Sequence, residues 1–172
     1  MGLSGRCSCN AITYRLASAP MFVHCCHCLD CQRQTGSGFV VNMLIEADRV
    51  EAQGIAPEAV SMPTDSGREH LVYRCPKCLV ALWSTYGGRP QVRFVRAGTL
   101  DEPSAIAPDV HIFTRSQLPW VRLPDGAGDA APGSPFAGTA TGRIPRAFEV
   151  YYDTAAEWPA ESLARRKAAY GK

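Results

Sequence analysis

Eight cysteines fall in three tight groups, and this grouping constrains the chain more than any other feature: Cys7 and Cys9, then Cys25, Cys26, Cys28 and Cys31, then Cys75 and Cys78. The spacings read CxC, CCxCxxC and CxxC. Cysteines used only as small core residues would be scattered, and a disulfide framework belongs to small secreted chains that lack a core. This chain has 172 residues, 46% of them hydrophobic and 20% charged, enough for one core and short for two independent domains. No run nears the roughly 18 apolar residues of a membrane span, and Met1 to Cys9 lacks the pattern of a secretion signal. A soluble, cytoplasmic protein without a membrane segment is therefore the expectation. Its net charge of +2, from 18 basic and 16 acidic residues, makes nucleic acid an unfavoured partner. The one basic run, Arg165, Arg166 and Lys167, reads as the solvated end of a helix.

Metal binding accounts for such spacings. A CxxC pair on a tight turn aims two thiolates at one tetrahedral metal, and CxC does the same in an extended segment because i and i+2 share a face. Zinc suits these ligands better than an iron–sulfur cluster, which uses the same donors. Cys7, Cys9, Cys75 and Cys78 could form a closed four-thiolate site of the structural kind. Cys25 and Cys26 are neighbours on an extended chain and face opposite ways, so Cys26, Cys28 and Cys31 remain as three ligands with an open fourth position, the pattern of catalytic zinc. The competing reading completes that site with His24, which shares the face of Cys26 and Cys28. His27 alternates away and reads as a polar neighbour, and Cys25 as a buried small residue.

Alternating apolar residues predict strands around Ile12–Leu16, Phe39–Ile45, Leu71–Tyr73, Val92–Phe94 and Val110–Ile112. Glycines and prolines separate them, and no long helical period intervenes, so a mainly β, antiparallel domain is expected. His111, between Val110 and Ile112, reads as a hydrogen-bonded strand histidine, and Trp120 as a core or pocket wall. From Pro124 to Pro145 the composition turns to Pro, Gly, Ala, Ser and Thr and reads as a long excursion. Phe148, Val150 and Tyr152 alternate as in a last strand, and Pro159–Tyr170 reads as a short C-terminal helix. The expected organisation is a zinc-binding β domain over residues 1–122, with residues 123–172 forming an excursion and tail on the same domain.

The constellation Gly5, Cys7 and Cys9; Cys26, His27, Cys28 and Cys31, then Gln32, Arg33, Thr35 and Gly36; and Cys75 with Cys78 resembles the family of glutathione-dependent formaldehyde-activating enzymes, which also includes centromere protein V-like domains. The later segment from Pro108 to Trp120 resembles the family's closing pattern. The resemblance implies a zinc-stapled β domain holding two zinc ions. Cys7, Cys9, Cys75 and Cys78 correspond to the structural ligands, and Cys26, Cys28 and Cys31 to the ligands of the catalytic ion. It departs at Leu79 and Val80, where the family often has glycine and a small residue, and at Asn10, where glycine often stands.

The family's named reaction joins formaldehyde to the thiol of glutathione, so the resemblance implies an enzyme of carbon–sulfur lyase type, similar to S-(hydroxymethyl)glutathione synthase. A free thiol is only a few per cent ionised at pH 7, whereas a coordinated one is deprotonated. A small thiol such as glutathione, or its aldehyde adduct, is the implied partner. Arg33 is a candidate to pair with a substrate carboxylate, weighed against an ordinary surface arginine. The alternative function is a non-catalytic zinc module that binds another protein.

Overall fold

The computed structural model describes residues 2–125 and 128–171; Met1, Gly126, Ala127 and Lys172, the middle two of which fall in the expected excursion, lie outside them. Strands β1 (Ser4–Arg6), β2 (Ile12–Leu16) and β3 (Phe22–Cys26) lead into helix α1 (Leu29–Thr35). Strands β4 (Val40–Glu46), β5 (Val50–Gly54), β6 (Glu58–Ser61), β7 (His70–Arg74), β8 (Ala81–Tyr86), β9 (Val92–Arg96), β10 (Val110–Ile112) and β11 (Arg146–Phe148) follow, before helices α2 (Thr154–Glu157) and α3 (Ala160–Tyr170).

The fold is mainly β. A three-stranded sheet in the order β1-β2-β5 lies against an eight-stranded sheet in the order β11-β10-β3-β4-β9-β8-β7-β6. In β2 the buried residues Ile12, Tyr14 and Leu16 alternate with exposed ones, as a half-covered strand requires. Gly5 is needed where β1 passes close to its neighbours, because a Cβ there would collide with the Tyr14 hydroxyl and the Thr99 carbonyl oxygen. Strand β4 is central and covered on both faces, which explains its near-continuous apolar run.

Each face of the large sheet supports its own core. Val23, Met43, Ile45, Val95 and Trp83 pack toward Ile12, Tyr14, Leu16 and Val50 of the small sheet. On the opposite face Phe22, Leu44, Val92, Val110 and Ile112 pack against Tyr152 and Trp158 of the tail. The Trp158 ring stacks on Phe22 with centroids 4.9 Å apart, and its Nε1–H donates to the Tyr152 hydroxyl at 2.6 Å.

The sheet departs from the antiparallel expectation at one edge, where β10 runs parallel to both β3 and β11. Parallel neighbours need long crossovers, and β10 and β11 have only three residues each, too few for their alternation to carry direction. The tail thus adds a strand to the large sheet, but it ends at Phe148, with Val150 exposed and Tyr152 in the core. The Pro124–Pro145 stretch is turns among the described residues, tied back by Asp109, whose carboxylate accepts from Thr141 N–H at 3.0 Å and Val23 N–H at 2.8 Å.

Two further readings are corrected. Trp120 is 67% exposed, which overturns the core alternative and not the wall alternative, its ring lying over Gly38. Arg165 is no solvated helix end: its Nε and Nη2 donate to the two carboxylate oxygens of Glu46 at 2.9 and 2.7 Å, with both side chains largely covered. Among the described residues no helix is long and apolar enough to cross a membrane.

Candidate metal centres

Cys7 and Cys9 lie in the turn between β1 and β2, and Cys75 and Cys78 in the turn between β7 and β8; the four sulfurs all lie within 4.8 Å of one another. Cys7 and Cys9 are 3.6 Å apart, and Cys9 and Cys75 3.7 Å. A tetrahedral metal with sulfur bonds of about 2.3 Å has edges of about 3.8 Å, so this donor set fits one. Both turns close by backbone hydrogen bonds, Asn10 N–H to Cys7 O at 3.1 Å and Leu79 N–H to Cys75 O at 2.8 Å. The turns demand left-handed residues, Asn10 at φ 59° and Leu79 at φ 61°. Asparagine tolerates this; leucine is strained by it. The backbone N–H of Val80 holds the Cys78 thiol down to about 6.

The second group is built where β3 meets α1. Cys26 ends the strand, Cys28 caps the helix by accepting from Cys31 N–H at 3.4 Å, and Cys31 sits in the first turn. Their three sulfurs also lie within 4.8 Å of one another. Hydrogen bonds from the Cys26 and Cys31 thiols push the Cys28 thiol down to about 2, and the Cys26 thiol is raised in turn by the same contacts. Gln32 fastens the helix, donating through Nε2 to His27 O at 2.7 Å and Ser116 O at 2.8 Å.

His24 is not among the donors gathered at this site, although it shares the face of Cys26. Its Nε2 lies 2.5 Å from the Tyr152 hydroxyl, and burial keeps the ring neutral by lowering its pKa to about 3. The Arg33 side chain is 71% exposed, with its Nη1 3.6 Å from an Asp30 carboxylate oxygen on the same helix.

Two features escaped the sequence reading. Cys25, His27 and His111 form a third, fully buried group on the opposite face of β3, with Cys25 Sγ 3.6 Å from His27 Nε2 and His27 Nε2 3.0 Å from His111 Nδ1. The histidine pair satisfies itself by one shared N–H, while His27 Nδ1 is buried without a partner among the described residues. The parity that separates Cys25 from Cys26 predicts the shared face of Cys25 and His27, but not the arrival of His111 from a distant strand.

The other is Arg96, which lies on the apolar face of β9 with Val92 and Phe94. Its Nη1 donates to Asn42 Oδ1 at 2.5 Å and its Nη2 to Gln34 Oε1 at 3.2 Å. Alternation from Val92 through Phe94 was the available signal for a charge at a covered position.

Residues 2–116 match the family model described as glutathione-dependent formaldehyde-activating enzyme. No curated protein matches the chain. The crystal structure of a protein from Rhodobacter sphaeroides is similar at 14% identity and a TM-score of 0.44, covering 57% of this chain and 87% of that one.

Proposed function

The chain belongs to the glutathione-dependent formaldehyde-activating enzyme family, and from that membership we propose that it is a zinc-dependent enzyme of carbon–sulfur bond chemistry, acting on glutathione, or a similar small thiol, and formaldehyde. The observation that carries this reading is the count at the second centre: Cys26, Cys28 and Cys31 converge, and His24 is committed to Tyr152. Three protein ligands leave a coordination position for an exogenous group. Cys7, Cys9, Cys75 and Cys78 would hold the structural ion.

Zinc held by Cys26, Cys28 and Cys31 would keep a thiol sulfur ionised at neutral pH. In the overall reaction the thiol sulfur bonds to the formaldehyde carbon and the C=O π pair becomes a hydroxyl. The thiol loses one proton and the hydroxyl gains one, so no redox partner is needed. The chain's own part is positional. The helix cap at Cys28 sets the angle between the strand ligand Cys26 and the helix ligand Cys31, and Gln32 pins that helix to the loops carrying His27 and Ser116. Such fixed placement lowers the entropy cost of bringing thiol and aldehyde together.

Exchange spectroscopy by NMR on glutathione and formaldehyde tests the proposal. Zinc-loaded protein should accelerate formation of the hydroxymethyl adduct, and Cys28→Ala should abolish the acceleration. No change of rate and no binding of glutathione by the loaded wild type would sink it.

A further inference from the structure

Arg96 is a buried cation with no anionic side chain paired to it among the described residues. The residue is 7% exposed, and none of the ion pairs among the described residues includes it. Among the described residues its two hydrogen bonds go to neutral amides, Asn42 and Gln34, and its Nε–H is buried with no partner. An unpaired guanidinium is costly to bury, so its position calls for a negative charge nearby.

The topology supplies one. Arg96 sits opposite Asn42 on β4, and Asn42 sits opposite His24 on β3, one alternation from Cys26 on the same face. Gln34, its other partner, lies three residues after Cys31 on α1, a spacing that places the two side chains side by side. Arg96 is thus held between Asn42 of β4, the strand next to the one that bears Cys26, and Gln34 of the helix that Cys28 caps and that bears Cys31. Once ionised on a metal, the Cys31, Cys26 and Cys28 sulfurs would supply the negative charge that this guanidinium lacks. Three thiolates around a dication carry a net charge of −1, and a thiolate entering the fourth position makes it −2.

We propose that Arg96 is the charge-compensating residue of the three-cysteine centre, and that it biases the centre toward retaining its metal and accepting an anionic sulfur ligand over a neutral one. This rests on the metal-site reading given above. Gln34 and Asn42 set the orientation of the guanidinium, and Gln34 continues to His70, with Gln34 Nε2 3.4 Å from His70 Nδ1. Arg96 acts through the field it imposes on the sulfurs and is a positioning residue, not a catalytic one.

The test compares wild type, Arg96→Met and Arg96→Lys, each loaded with zinc. Chelator competition reads metal retention, and calorimetry reads binding of glutathione and of imidazole, a neutral ligand. Arg96→Met should weaken the more labile zinc by roughly 10- to 100-fold. It should also weaken glutathione more than imidazole, with the tightly held zinc and the circular dichroism unchanged. Arg96→Lys should recover most of both losses. Because Arg96→Met removes a buried group, Gln34→Glu provides a second route: a carboxylate beside Arg96 neutralises it in place and should shift the labile zinc in the same direction. Unchanged zinc retention in both Arg96→Met and Gln34→Glu, or equal loss in Arg96→Met and Arg96→Lys, overturns the proposal. A wild type that ignores glutathione yet holds a labile zinc overturns the thiol reaction, and the zinc comparison still decides the role of Arg96.

Discussion

Cys25 and Cys26 are consecutive residues whose side chains leave β3 on opposite faces, Cys26 toward Cys28 and Cys31, Cys25 toward His27 and His111. A run of four cysteines is thereby divided between a three-sulfur centre and a separate buried pocket. Cys25→Ala is accordingly expected to leave metal content unchanged, whereas Cys26→Ala removes the labile metal. Elemental analysis of the two variants checks this, and loss of metal from Cys25→Ala would contradict the division.

The two centres differ in what they hold together. Cys75 joins turns on β1–β2 and β7–β8, so its loss opens contacts between residues far apart in sequence. Cys75→Ser should cost about 3 kcal/mol or more, a drop in Tm of roughly 6–12 °C for a chain of this size. Cys28→Ser should move Tm by much less. Thermal denaturation with matched metal analysis separates them, and equal damage from both would indicate two structural centres.

Leu79 carries strain without a packing return, since it is left-handed at φ 61° and 65% exposed. Leu79→Gly should stabilise the protein by about 1 kcal/mol, read as a Tm rise of roughly 2–4 °C. A fall in Tm would mean that the exposed side chain contributes contacts outweighing the backbone strain.

Tail docking depends on pH through Glu46. Burial pushes its carboxyl up, but the hydrogen bond and charge of Arg165, with Arg49, outweigh this and leave it below its ordinary 4.5. A folded pKa below the unfolded one gives stability that is present above about pH 4.5 and is lost as pH falls through the folded value. Wild type should therefore lose more stability between pH 5 and pH 3 than Glu46→Gln does, measured by urea denaturation across that range. Parallel curves for the two would contradict the linkage.

Much of the site was legible because strand alternation and CxC or CxxC spacing are local rules: they grouped Cys7 with Cys9 and Cys75 with Cys78, and set Cys25 apart from Cys26. The resemblance added the pairing between distant turns, which spacing could not supply. Helix α1 was hidden because none of its seven residues is buried, so no apolar stripe marks it; the Cys28 cap and the left-handed Gly36 define it instead. Arg165 read as solvated because its partner Glu46 is 119 residues away. The parallel edge was hidden for the same reason, since six strands separate β3 from β10 in the chain.

The commitment of His24 to Tyr152 separates an open centre from a closed one. Tyr152→Phe removes the hydroxyl that partners both His24 and Trp158, so it should cost about 1–3 kcal/mol in urea denaturation while leaving metal content unchanged. Loss of metal from His24→Gln would show instead that His24 is a ligand.

Zinc X-ray absorption on the loaded protein, before and after glutathione, tests the central claim most directly. The account predicts one all-sulfur site and one site with three sulfurs and a lighter donor, the lighter donor being replaced by sulfur when glutathione is added. Two closed sites from the outset, or a spectrum that saturating glutathione leaves unchanged, would contradict it.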